Sequence, residues 1–135
     1  MDKTFLHNYR TFVDGVTSPV SKDDELFIAR IRELSAQGVQ VARLTTAGIG
    51  LASEGGEFDE IVKKILFHEK EYNEDNRFHM KRELGDIIWY WMNACKALGY
   101  DPYEIIEENV TKLESRYPGG KFSVWHSENR KEGDL

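Results

Sequence analysis

The sequence predicts an all-α protein built from four main helices, and three observations carry that prediction. Apolar residues recur at alternating spacings of three and four through two runs of about twenty residues. No segment shows period-two alternation bounded by hairpin signals. Only three prolines occur, Pro19, Pro102 and Pro118, and they punctuate the long patterns rather than interrupt them.

The segment before Pro19 is mixed in pattern and points to neither helix nor coil. Ser21 followed by Asp24 is an N-cap signature, with the apolar residues Leu26, Phe27, Ile28, Ile31 and Leu34 behind it and Gly38 closing the helix. From Val39 to Phe67 a seam runs through Leu44, Gly48, Leu51, Gly55, Phe58, Val62 and Ile65. Its two glycines cost about 1 kcal/mol each against alanine, which suits places where a neighbouring backbone or ligand comes close. His68 to Asn76 is dense in charge and reads as a loop. A second seam follows through Met80, Leu84, Ile87, Trp91, Ala94 and Leu98, ending at Gly99. Asp101-Pro102-Tyr103-Glu104 then combines an N-cap, a proline at the first helical position and a capping-box glutamate. The helix it starts is expected to bury Ile106, Val110, Leu113 and Tyr117, and Pro118-Gly119-Gly120 ends it. Ser127 to Leu135 reads as a polar, mobile tail.

Composition narrows the function classes. The 135 residues fit one domain, expected over 1–135 with a core of about 22–122, and 40% apolar content excludes disorder of the whole chain. A net charge of -6 argues against a nucleic acid polymer as partner. One cysteine, Cys95, excludes a disulfide scaffold. The opening MDKTFLHNYR lacks an apolar signal core and no run approaches a membrane span, so a soluble cytoplasmic protein without a membrane partner is expected.

Two acidic pairs carry chemistry. Glu54 and Glu57 on the second helix, and Glu83 and Asp86 on the third, each lie three residues apart on one side of their helix. Acidic residues at this spacing are common, so neither pair marks a site alone. If the helices are antiparallel neighbours, the pairs meet. Two charges ~4 Å apart repel by about 4 kcal/mol at an effective dielectric near 20, which a hard divalent cation would offset. A di-iron bundle would need Glu-x-x-His, and none of His7, His68, His79 and His126 lies three residues after a glutamate. Glu60 reads equally as a fifth ligand or orienting base, or as a plain surface residue. On the fourth helix Asn109, Lys112 and Arg116 form a stripe beside the apolar row, suited either to polyphosphate or to a solvated edge near a helix C-terminus. Tyr90 and Trp89 read as base-stacking or as packing, and Lys121 as a phosphate contact or plain surface.

These residues resemble the MazG-like nucleoside triphosphate pyrophosphohydrolases. The resemblance runs through GLASEGGEFDEIVKK (50–64), RELGDIIWYW (82–91) and NVTKLESRYP (109–118), and covers about Leu44 to Phe122. It implies an all-α, MazG-like four-helix bundle assembled into a homo-oligomer, a homodimer or homotetramer, with the apolar helix Leu26 to Leu34 as the shared surface. It also implies Mg²⁺, with Mn²⁺ as substitute, held by the catalytic carboxylates Glu54, Glu57, Glu83 and Asp86. Asn109, Lys112 and Arg116 would contact a triphosphate and Tyr90 the nucleoside. The implied reaction converts a (d)NTP to (d)NMP and pyrophosphate. Alternatives are a narrower house-cleaning or signalling hydrolase acting on dUTP, dCTP or ppGpp, and a non-catalytic helical dimer module.

Overall fold

The computed structural model describes residues 3–130, and among them every regular element is helical. The chain forms two compact units, residues 1–42 and 43–135.

The first unit holds α1 (Lys3–Val16), a 3₁₀ turn over Pro19–Ser21, and α2 (Asp24–Ala36). The segment before Pro19, unassigned from pattern, is thus a helix of 14 residues. Its apolar row Phe5, Tyr9, Phe12 and Val16 has the four-three-four spacing of a helix face, and that was the signal for it. Lys22 ties the turn back to α1, its Nζ donating to the Asp14 carbonyl at 2.6 Å with the Asp14 carboxylate 3.4 Å away. The N-cap of α2 is Asp23, not Ser21: Asp23 has extended backbone and its side chain accepts from Leu26 N at 3.0 Å. Ser21 is engaged elsewhere, its hydroxyl 2.7 Å from that of Ser18. After α2 the backbone N–H groups of Gly38 and Val39 return to the carbonyls of Ser35 and Leu34, at 3.0 and 3.1 Å. This double closure needs a left-handed residue, which Gly38 supplies at φ +86°.

The second unit takes in nearly all of α3 (Val41–Phe67), together with α4 (Glu74–Leu98), α5 (Pro102–Arg116) and the short α6 (Val124–Glu128). The expected loop over 68–76 is three residues shorter, because Asn73 caps α4 by accepting from Asn76 N at 3.0 Å. Glu74 and Asp75, whose charge suggested a loop, fill the first turn of α4, where the helix dipole favours acids. The expected tail also begins later: Ser127 lies within α6, while 131–135 fall outside the described residues.

α3 and α4 run antiparallel: the Tyr90 ring lies on Gly50, Glu83 hydrogen-bonds Glu54, and His79 shares a cavity with Ile61 and Lys64. The face that α3 buries is rotated from the expected seam. Ala47, Gly50 and Ile61 are buried, whereas Leu44 and Gly48 are exposed. On α4 the buried residues are Glu83 and Cys95, and Leu84 and Leu98 are exposed. The small residues Ala47 and Gly50 explain the rotation, since they let a ring on the neighbouring helix come close. Gly48 and Gly55, the two seam glycines, have open space where a Cβ would stand; the close approach is at Gly50.

Gly99 ends α4 at φ +76°, and α5 starts with the capping box read from the sequence. Asp101 Oδ1 accepts from Tyr103 N at 2.8 Å, and Glu104 Oε2 accepts from Asp101 N at 3.3 Å. Asp101→Ala removes one acceptor and leaves orphaned N–H groups, so it is expected to cost about 1 kcal/mol, read as a lower denaturant midpoint with unchanged m value. Contrary to expectation, Ile106, Val110 and Leu113 are exposed in the chain; only Tyr117 is half-buried. Neither α2 nor α5 has a fully buried residue.

Candidate functional site

The site is built where the middle of α3 faces the first half of α4. Antiparallel pairing brings residues with descending numbers on α4 against ascending ones on α3, so Glu54 and Glu57 come to Glu83. Carboxylate oxygens of these three lie within 4.8 Å of one another. Glu83 is buried, Glu54 half-buried and Glu57 exposed, so the cluster opens to solvent along one edge. Asp86, one turn beyond Glu83, is exposed and lies outside that group, yet its charge still acts on Glu54.

The electrostatics follow from this crowding. Partial burial, then repulsion from Glu57, Asp86 and Glu83, with a hydrogen bond that the protonated carboxyl donates to Glu83, push the Glu54 carboxyl above the ordinary glutamate range. Three acidic groups at this separation, all offering oxygen, fit a hard divalent cation, which would relieve the repulsion. Glu60 does not join them. Hydrogen bonds from Lys63 and Lys64, the latter with Nζ at 3.2 Å, hold its carboxyl below the usual range as an ordinary ion pair.

His79 was not expected here. Its Nε2 lies 3.2 Å from Glu83 Oε1, so the imidazole orients the buried carboxylate from one turn earlier on α4. The i,i+4 spacing of His79 and Glu83 was the available signal. Beside the cluster is a cavity of about 270 Å³ lined by Glu57, Glu83, His79, Lys64 and Lys70, among others. Larger hollows of about 480 and 660 Å³ flank α5, but their lining is glutamate, tyrosine, threonine and aliphatic side chains without a cation.

The remaining expected site residues lie apart from this cavity. Tyr90 is half-buried, its ring on Gly50 and its edge at right angles to Trp89, with ring centroids 4.8 Å apart. Asn109 and Lys112 are exposed on α5 and Arg116 is half-buried near its end; none of the three lines the α3–α4 cavity. Lys121 lines a separate hollow with Val110, Leu113 and Phe122.

The described residues thus form an all-helical domain whose antiparallel central helices gather the carboxylates of Glu54, Glu57 and Glu83. The profile of the MazG nucleotide pyrophosphohydrolase domain matches residues 44–120, and the chain belongs to that family. A relative is the Gene 37 protein of Mycobacterium phage L5, 34% identical over 79 residues, or 57% of this chain and 68% of the relative. No solved structure matches the chain. No helix of the described residues is long and apolar enough to cross a membrane.

Proposed function

We propose that the protein is a Mg²⁺-dependent nucleoside triphosphate pyrophosphohydrolase, converting a (d)NTP and water to (d)NMP and pyrophosphate. The observation that supports it is the convergence of Glu54, Glu57 and Glu83 within the segment that matches the family.

On this reading Glu54, Glu57, Glu83 and Asp86 hold Mg²⁺, with Mn²⁺ as a substitute. The ion supplies Lewis-acid polarisation of phosphoryl oxygens and eases deprotonation of water. His79 keeps the Glu83 carboxylate oriented. Water forms a bond to one of the two phosphorus atoms flanking the α,β-bridging oxygen. The bond from that phosphorus to the bridging oxygen breaks with its electron pair left on the oxygen, and the water proton passes through a carboxylate of the cluster to solvent. Asn109, Lys112 and Arg116 contact the triphosphate, and Tyr90 flanks the nucleoside. The protein acts as a single MazG-like domain over 1–135, core about 22–122, in the cytoplasm.

A second copy is part of this proposal. The apolar row Ile106, Val110 and Leu113 of α5 is 40–52% exposed, and Leu26, Phe27 and Ile28 of α2 are similarly open. Exposed apolar side chains of this kind are what association covers, and a homodimer or homotetramer would bury either group. Light scattering should give twice or four times the 15.7 kDa of one chain.

The test is pyrophosphate release from eight common NTPs and dNTPs, with Mg²⁺ and with EDTA. Release of pyrophosphate with the matching monophosphate, lost in EDTA, is expected. Release of orthophosphate, or none from any nucleotide, would overturn the proposal.

A further inference from the structure

Three features lie outside the assigned roles: the exposed apolar face of α1, the acidic hollows along α5, and the basic end of the α3–α4 cavity. Nothing shows what covers the first, and the second has no charge to attract a ligand beyond its own glutamates. The third has a ligand chemistry.

The cavity of about 270 Å³ begins at the carboxylates Glu57 and Glu83 and reaches Lys64 and Lys70 at the end of α3. Lys64 is held by Glu60 at 3.2 Å. Lys70 is half-buried and has no ion-pair partner among the described residues. Its place follows from the turn that ends α3. Glu69 adopts φ +54°, the one non-glycine in the left-handed region among the described residues. That reversal sends the Lys70 backbone N–H back to the Lys64 carbonyl at 3.1 Å. The last turn of α3 and the residue after it are thereby closed on each other, and both lysines line the same cavity. A cavity with carboxylates at one end and an unpaired ammonium at the other is a two-ended charge pattern. It matches a cation-bound polyphosphate, with the metal at the acidic end and the outer phosphates at the ammonium. The α5 cations do not supply this end, because neither Lys112 nor Arg116 lines the cavity.

We propose that Lys70, backed by Lys64, binds the terminal phosphates of the substrate, so that the pyrophosphate product departs along the groove between the end of α3 and the start of α4. The inference rests on the nucleotide pyrophosphohydrolase reading and adds to it the direction in which the polyphosphate lies. Lys70 is a binding residue on this account; it neither donates nor accepts a proton.

Inorganic pyrophosphate and a nucleoside monophosphate, each with Mg²⁺, serve as calorimetric probes of the full-length protein and of Lys70→Ala and Lys70→Arg. Losing one charge-assisted contact should weaken pyrophosphate binding about 10-fold in Lys70→Ala. Monophosphate affinity should stay within about twofold, the KM for the nucleotide should rise more than kcat falls, and Lys70→Arg should recover most of the loss. Pyrophosphate affinity unchanged in Lys70→Ala, in a wild-type protein that turns over nucleotide, overturns this inference and leaves the function standing. Equal losses for both probes, or a lowered melting temperature accounting for the loss, also overturn it, since the lysine would then be structural. A wild-type protein that releases no pyrophosphate removes the function and the inference together.

Discussion

Glu54→Gln is expected to reduce metal-dependent pyrophosphate release by at least about 100-fold, beyond the 10–100-fold typical of losing an outer-shell partner. The same variant should melt at a higher temperature than wild type when both are stripped of metal. The two effects share one cause. In the metal-free protein the Glu54 carboxyl titrates above its ordinary range because it is partly buried among Glu57, Asp86 and Glu83. Between the ordinary value and the raised one the folded state binds more protons than the unfolded state, so stability falls as pH rises through that window. Glutamine carries no charge to repel, so the fall should flatten in the variant. Divalent cation should remove it from wild type as well, and cation affinity should increase with pH over the same window as the carboxyl gives up its proton. Thermal melts of wild type and variant across that window, with EDTA and with Mg²⁺, read all of this. A variant that melts lower than wild type in EDTA, with loss of helicity, would make Glu54 a structural residue.

Gly50→Ala is the substitution expected to damage the fold most for its size. A Cβ at that position would stand closer than 3.0 Å to Cγ, Cδ1 and Cε1 of Tyr90, which are the root and near edge of the ring rather than its mobile tip. The ring must leave or α3 and α4 must separate, at a cost of about 2–3 kcal/mol for an overpacked contact. Separation would also draw Glu54 and Glu57 away from Glu83, so cation affinity should fall with stability. Two comparisons isolate the cause. Gly48→Ala, where a Cβ meets open space, should stabilise the helix by up to about 1 kcal/mol. In a Tyr90→Ala background Gly50→Ala should lose most of its penalty, a coupling that a double-mutant cycle reads directly. Additive effects in that cycle would mean that the ring is not what Gly50 accommodates.

Local and tertiary information divide cleanly along this chain. The capping box of Asp101 and Glu104, the left-handed closures at Gly38 and Gly99, and the pairing of acids three apart on two long helices are interactions within a few residues. Their physics is complete in the sequence around them, and they were legible there. The order of the acidic pairs with Asn-x-x-Lys-x-x-x-Arg-Tyr-Pro was enough to point to the family. Which face of α3 turns inward was not legible, because its apolar and small residues cover a broad arc. The neighbour selected the row Ala47, Gly50 and Ile61 over the row containing Leu44 and Gly48, by offering a ring that only a missing Cβ admits. The same contact set the register that brings Glu83 to Glu54 and Glu57. Lys70 was invisible for a related reason: a left-handed Glu69 carries it over the end of α3, and no pattern of residue types marks that reversal. The chain's local chemistry thus specified the helices and which carboxylates they carry. The choice of buried face, the meeting of the carboxylates and the cation beside them came from packing, since each depends on groups more than twenty residues apart or on a backbone angle that side-chain type does not encode.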